Sequence, residues 1–263
     1  MAIMNIRKIV MIGSGRLASS LSMALKETGF DIIQVYNRSS ESGKKLAERT
    51  GAEYACNLKG ITLKGDLYII AVADDAVSGI LNELDTGNKF VVHTSGALPM
   101  NILNKVSENT GVIYPLFTFS GKGKKDFRRI PVCIEANSKK NLEVLNSFAS
   151  QFSDHVKTMT SADRLKVHLA AVFANNFTNF MVAVAGDLLI DAKIDPDILE
   201  SLIRQTSKNI IGKDPFLRQT GPAVRGDELI MKKHLKLLQA YPDYQKIYRQ
   251  ISYSILKMKK KHG

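Results

Sequence analysis

Cysteine is nearly absent from this chain, with two residues, Cys56 and Cys133, in 263. They are far apart, with no CxxC spacing and no clustered histidines, so neither a disulfide framework nor a metal site is expected. Cys133 falls in the apolar run IPVCIEA, where a free thiol packs as a small hydrophobe. An unbroken membrane-spanning run is missing too. The most apolar stretch, Leu165 to Ile190, is interrupted by Lys166, His168, Asn175, Asn176, Asn179 and Asp187, which argues against a bilayer crossing. Arg7 and Lys8 precede an apolar run, but that run is short and ends in a glycine turn, unlike a signal peptide. With 44% hydrophobic and 24% charged residues the chain is composed like a soluble globular protein, and a cytoplasmic one with no membrane partner is the expectation.

Acids are the scarcer charge: 25 Asp and Glu against 37 Lys and Arg give a net charge of +12, with a pI near 9.6. Such a balance suits an anionic partner of some kind. The basic residues are scattered, apart from Lys122 to Lys125 with Arg128 and Arg129, and the terminal KMKKKHG. Neither run is interleaved with aromatics as a stacking platform for single strands would be, so no nucleic-acid partner is expected. Both read as solvated loop and tail.

What the chain does contain is organised around KIVMIGSGRLA, Lys8 to Ala18. Ile9 to Ile12 suit a strand buried on both faces, and Leu17, Leu21 and Leu25 recur at helical spacing in a segment that ends at Gly29. Gly13 and Gly15 sit at the joint, where the turn is tight and where a side chain would hold a ligand's phosphates away from the helix's unpaired amides. With Ala18 they spell GxGxxA, a dinucleotide-binding fingerprint in the strand-turn-helix context that supports it. An ordinary glycine turn is the competing explanation.

A second strand, Ile32 to Tyr36, leads into Asn37, Arg38 and Ser39. An NAD site places an acid here, about 20 residues past the glycines, to bond the ribose hydroxyls. Here there is none, since Asp31 is at the leading end of the strand. An amide, a guanidinium and a hydroxyl instead suit the extra phosphate of NADP. Ser39 or Ser40 would also serve as helix N-cap. Further strands are expected near Glu53 to Cys56, Asp66 to Ala73, Lys89 to His93, Gly111 to Pro115, Ile130 to Ala136 and His155 to Met159, alternating with helices in a doubly wound, largely parallel α/β sheet. Ligands lie outside the carboxyl ends of such strands, which brings in Ala73 and Asp74, and Thr94, Ser95 and Gly96 of HTSGALP. Asp74 or Asp75 is expected to cap the next helix. The loop YPLFTFSG, with Tyr114 and Phe117, either roofs a small pocket or belongs to the core.

Beyond Thr160 no strand candidates remain. Residues 1–159 therefore read as a Rossmann-type domain and 160–263 as an all-helical one. Ser161 or Asp163 is expected to cap a helix reaching Asp191, and Asp195 with Pro196 to start another. At about 100° per residue, Arg164, His168, Asn175 and Asn179 fall near one line of the long helix, with Asn176 to one side. Phe173, Phe177 and Phe180 lie opposite, on a face broad enough for homodimerisation. The polar line either lines a cleft or is satisfied by neighbouring helices.

Taken together, IGSGRLA, YNRS, AVADDAV, HTSGALP, YPLFTFS, HLAAVFANNF and TGPAVRGD (Thr220 to Asp227) resemble, over essentially the whole chain, the NADP-dependent oxidoreductases that join a Rossmann-like domain to a helical domain. These are distant relatives of pyrroline-5-carboxylate reductase and 6-phosphogluconate dehydrogenase, and some are labelled deazaflavin-dependent. The resemblance implies a 6-phosphogluconate-dehydrogenase-like helical domain. Two departures stand out: Tyr114 where a histidine is frequent, and Phe117 where a glutamine is frequent. It further implies hydride transfer between NADP and a small carbonyl, imine or hydroxy-acid metabolite, with Gly13, Ser14, Gly15, Arg16 and Leu17 at the pyrophosphate and Asn37 to Ser39 at the adenosine phosphate. The Ser95 loop would face the nicotinamide. His168 is the candidate acid, since histidine's ordinary pKa is nearest working pH, and Asn175 or Asn176 would orient the substrate. The rival expectation is a non-catalytic NADP-binding sensor or structural dimer.

Overall fold

A computed structural model describes residues 6–120 and 123–262, with 259–262 as backbone only, so Lys122 and the end of the basic tail lie outside the described side chains. The apolar runs become eight strands: β1 (Lys8–Ile12), β2 (Asp31–Tyr36), β3 (Glu53–Ala55), β4 (Leu67–Ile70), β5 (Phe90–His93), β6 (Thr110–Pro115), β7 (Val132–Ala136) and β8 (Val156–Thr158). They form one sheet in the order β3-β2-β1-β4-β5-β6-β7-β8. Only the β6–β7 pair is antiparallel.

The continuous hydrophobicity of β1 follows from its central place. Ile9 and Met11 enter the core on one face of the sheet, and Val10 and Ile12 the core on the other, because successive side chains of a strand alternate. On the first face pack α1 (Arg16–Glu27), α2 (Ser40–Thr50) and α4 (Lys139–Ala149), through Leu21, Leu25, Leu46 and Phe148. On the second packs α3 (Asp74–Glu83), through Val77 and Leu81. The chain order turns at β1 and β4, so the crevice for ligands opens at their carboxyl ends.

Two capping expectations need correction. Ala73, not an aspartate, holds the N-cap of α3, and Asp74 and Asp75 occupy its first turn, where their charge favours the positive end of the helix dipole. The next helix, α5 (Ser161–Ala171), is capped by Thr160, whose side chain accepts from the amide of Asp163. Ser161 is thereby released, and it donates to Glu135 of β7 at 2.8 Å.

The chain divides into two compact units, residues 1–174 and 175–263, later than the expected change at 159/160. The reason lies in α5. Its Arg164 is 1% exposed, and the guanidinium donates to Glu135, to the carbonyl of Leu98 and to Ser161. Arg164 is therefore an anchor to the sheet rather than part of a polar line facing a cleft, and its partners lie on a strand, a loop and its own helix.

The long helix does reach Asp191, but as α5, a π-helical turn (Val172–Phe177) and α6 (Thr178–Asp191). The i→i+5 turn is wider than an α turn, so the 100° count that put Arg164, His168, Asn175 and Asn179 on one line does not carry through it. The second unit continues with α7 (Glu200–Ile210), α8 (Pro222–Arg225), α9 (Glu228–Leu237) and α10 (Pro242–His262). Asp195 starts the turn before α7, and Asp227 caps α9 by accepting from Ile230. Tyr244 donates to Asp187 at 2.6 Å, and His234 bonds Tyr248 at 2.9 Å. Large apolar side chains of this unit lie open, among them Ile198, Leu202, Leu229 and Leu237. The helix over 161–191, with a mean hydropathy of 1.3 in its most apolar window, is long and apolar enough to cross a membrane by length and composition.

Removing one partner of a buried ion pair strands the other charge and costs about 3 kcal/mol or more. Arg164→Ala is expected to lower the denaturant midpoint accordingly, whereas Lys166→Ala, which cuts only an exposed pair with Asp163, should change stability by less than about 0.5 kcal/mol. Equal midpoints for the two variants would contradict the anchoring role.

Candidate functional site

The glycine loop is built as its spacing requires. Gly13 has φ +116° and an added Cβ would stand 2.3 Å from the carbonyl oxygen of Ala71, so no side chain fits between β1 and β4. Gly15 is different: nothing lies within 4 Å of where its Cβ would be. It holds the N-cap of α1 with no side chain closing the first turn and no acid within it. The first amides of the helix are thus unpaired and face open space, the arrangement that receives a phosphate. Ser14 donates to Ser42, and Ser19 donates to the carbonyl of Ser14, at 2.9 and 3.1 Å. These bonds fix the loop. Ala18 is fully buried in the core.

At the end of β2 the three candidate phosphate ligands part company. The Asn37 amide donates to the carbonyl of Ser39 at 3.1 Å and to Ser42 at 3.0 Å, so it braces the strand-helix junction instead of offering a free donor. Arg38 and Ser39 are exposed, and Ser39, at the N-cap of α2, makes no side-chain capping bond. Ala73 and Asp74 are exposed at the end of β4. A cavity of about 540 Å³ runs beside α1 from Gly15, with Arg16, Arg49, Lys124 and Lys125 in its lining and one carboxylate, Glu27.

The β5 loop is more structural than its composition suggests. Thr94 is buried with its hydroxyl toward the carbonyl of Ile70 at 3.4 Å. The Ser95 hydroxyl accepts from Ala97 and Leu98 at 3.0 and 2.9 Å. The preceding His93 is fully buried, accepts from the amide of Ser95 through Nδ1 at 3.1 Å, and leaves Nε2 without a partner. Burial, with the charge of Arg164, lowers its pKa to about 4.

Gly96 touches the residues that matter most. An added Cβ would come within 2.7 Å of His168 Nδ1 and 2.8 Å of Tyr114 Cζ. Tyr114 Oη and His168 Nδ1 are 3.2 Å apart, with the rings edge to face. Burial raises the Tyr114 pKa, and the Arg164 charge opposes the rise. Tyr114 of β6 thus joins the site, although the sequence suggested it only as roof or core. Glu135 was not suggested at all; a lone acid in the strand VCIEA was its one signal. Asn175 and Asn176 are exposed on the π-helical turn, in the second unit. Phe117 is 49% exposed.

The loops line up along one edge of the sheet. In strand order they are Arg38 and Ser39 after β2, Gly13 to Leu17 after β1, Ala73 and Asp74 after β4, Thr94 to Gly96 after β5, and Tyr114 at β6. Neighbouring strands are about 4.8 Å apart, so the row from β2 to β6 spans roughly 20 Å, the reach of an extended dinucleotide.

Fold and edge together define a dinucleotide-fold protein with a helical second unit. Residues 3–117 match the family model described as a Rossmann-like domain, and residues 130–255 match that described as a domain of unknown function, DUF2520. A crystal structure from Bacteroides fragilis, that of a "putative NADP oxidoreductase", is 38% identical, covers 97% of this chain and 100% of its own, and superposes with a TM-score of 0.88. The chain belongs to this family of Rossmann-like proteins carrying the DUF2520 domain. Similar in fold alone are a pyrroline-5-carboxylate reductase from Streptococcus pyogenes (14% identity, 95% and 98% of the two chains, TM-score 0.62) and an imine reductase from Myxococcus stipitatus, solved with NADP+ (16%, 97% and 93%, 0.63). No curated protein matches the chain.

His93 gives a pH prediction. It is neutral in the folded protein down to about pH 4, but in the unfolded chain it takes up a proton near pH 6.5. Between these values the unfolded state binds the extra proton, so stability falls as pH drops. From pH 7 to pH 5 the loss should be about 2 kcal/mol, at roughly 1.4 kcal/mol per unit once below 6.5, and His93→Asn should remove that part of the slope in urea unfolding. An unchanged slope would show that His93 is not the proton acceptor.

Proposed function

We propose that the protein is an NADP-dependent oxidoreductase acting on a small carbonyl, imine or hydroxy-acid metabolite. One observation carries the reading: an open, uncapped helix N-terminus at Gly15 stands beside a β2 end that presents exposed Arg38 and Ser39, the first carboxylate, Glu41, coming only in the first turn of α2. Gly13 to Leu17 hold the pyrophosphate through backbone amides, and Arg38 and Ser39 hold the additional phosphate by charge-assisted bonds. Asn37 acts one step back, keeping Ser39 and α2 in place. Ala73 and Asp74 border the cofactor, and the Thr94 to Gly96 backbone borders its nicotinamide end. The bound cofactor would supply the hydride. His168, beside Gly96, is the acid for the substrate's heteroatom, and Asn175 or Asn176 orients the substrate. The relatives named as oxidoreductases support this assignment of chemistry.

A homodimer through the helical unit accompanies this reading. Ile198, Leu202, Leu229 and Leu237 are exposed on this unit, apolar side chains that such an association would cover. The same association would cover the apolar helix over 161–191. Free thiols at both Cys56 and Cys133 suit a reducing cytoplasm.

Titration by quenching or transfer fluorescence should show NADPH binding at least about tenfold tighter than NADH, a difference of roughly 1.4 kcal/mol. Arg38→Ala should remove most of that preference and leave NADH unaffected. Equal or tighter binding of NADH would sink the cofactor assignment. Absorbance loss at the nicotinamide band with a panel of carbonyl and cyclic imine compounds then separates an enzyme from a cofactor-binding sensor. Sedimentation without detergent should give a dimer; a monomer, or protein recovered only with membranes, would count against the helical interface.

A further inference from the structure

We propose that Tyr114 is a positioning residue that locks His168 in one tautomer, bare at Nδ1 and carrying its hydrogen on Nε2, so that the ring presents a donor to the substrate. This deepens the oxidoreductase reading and rests on it for the chemistry, though not for the geometry.

The pair is defined from three sides. The Tyr114 hydroxyl lies 3.2 Å from Nδ1, a hydrogen-bond distance. Gly96 closes over the contact so tightly that an added Cβ would reach both partners, which leaves the ring little room to turn. From below, α5 is pinned by Arg164 to Glu135 and Leu98, one helical turn before His168. The same guanidinium lies near enough to Tyr114 to oppose the rise in its pKa. Nδ1 is the acceptor within reach of the hydroxyl, and a nearby cation favours the phenol oxygen's lone pairs over its hydrogen, so in this proposal the hydroxyl donates to Nδ1. Nδ1 then accepts, and in the neutral ring the hydrogen sits on the other nitrogen. Among the described residues Nε2 has no hydrogen-bond partner.

Such a ring can complete a reduction without a charged acid. Hydride addition to the substrate carbon forms a C–H bond and sends the double bond's electron pair to the nitrogen or oxygen. That atom takes the hydrogen of Nε2, and Nδ1 takes the hydrogen of Tyr114. The phenolate left behind is favoured by the charge of Arg164 and recovers its proton from water once product has gone. Tyr114 acts throughout by way of His168.

The test reads the tautomer directly, in the full-length protein without cofactor. With ¹⁵N-labelled histidine, and His168 assigned by its absence in His168→Gln, the neutral ring should show an unprotonated Nδ1 and a protonated Nε2 at pH 8.5. In Tyr114→Phe the two shifts should converge toward a mixed population, while the signals of His155 and His234 stay in place. A wild-type ring protonated at Nδ1 would overturn the proposal, even if Tyr114→Phe fails to fold. An unchanged His168 spectrum in a folded Tyr114→Phe would overturn it as well. NADPH binding is measured separately, so its absence would refute the oxidoreductase reading and leave the tautomer result standing.

Discussion

A guanidinium withdrawn from water needs acceptors for its hydrogens, and the acceptors that the two terminal nitrogens of Arg164 find, with Nε left without one, set much of the site. Its partners come from a strand, a loop and its own helix: Glu135, the carbonyl of Leu98, and Ser161. Each of these bonds is worth more in a dry interior than at the surface, and loss of Glu135 would strand the charge of Arg164. One side chain therefore ties α5 to β7 and to the loop after β5. That tie brings His168 to Gly96 and Tyr114. It also explains why the first compact unit takes in α5 and ends only at Ala174.

The other end of the site depends on what glycine leaves out. At Gly13 a side chain has no room, since β4 approaches too closely; at Gly15 there is room, and nothing of the protein fills it. The first glycine lets the chain turn, and the second keeps the amides of α1 open. Charge does the rest. Arg16, Arg49, Lys124 and Lys125 line the cavity beside the loop, with Glu27 held by Lys124 at 2.9 Å. The net charge of +12 thus has a local expression at the edge where a polyanionic cofactor would lie.

The sheet was largely legible in the sequence because short apolar runs bounded by glycine and polar residues have few other uses, and every strand but the three-residue edge strands β3 and β8 falls on such a run. The glycine turn after β1 was legible because its spacing is dictated by backbone geometry. What escaped was anything set by partners distant in sequence. Asn37 reads as a ligand until Ser42 is seen beside it. Thr94 and Ser95 read as free hydroxyls until the turn consumes them. Arg164 reads as part of a polar stripe until Glu135, 29 residues earlier, takes its charge. The π-helical turn at Val172–Phe177 leaves no mark in a 3.6-residue count. Tyr114 showed only as a departure from the residue frequent in similar proteins, and its pairing with His168 required the fold.

On the proposed function, the row of loops from β2 to β6 would hold one NADP molecule, phosphate end at Arg38 and reactive end at Gly96. Amide chemical-shift mapping on titration with NADP+ addresses it directly. Shifts are expected at Gly13 to Leu17, Arg38, Ser39, Ala73 and Gly96, with the Arg38 and Ser39 changes much smaller for NAD+. Shifts confined to other parts of the molecule, or the same response at Arg38 and Ser39 to both nucleotides, would contradict it.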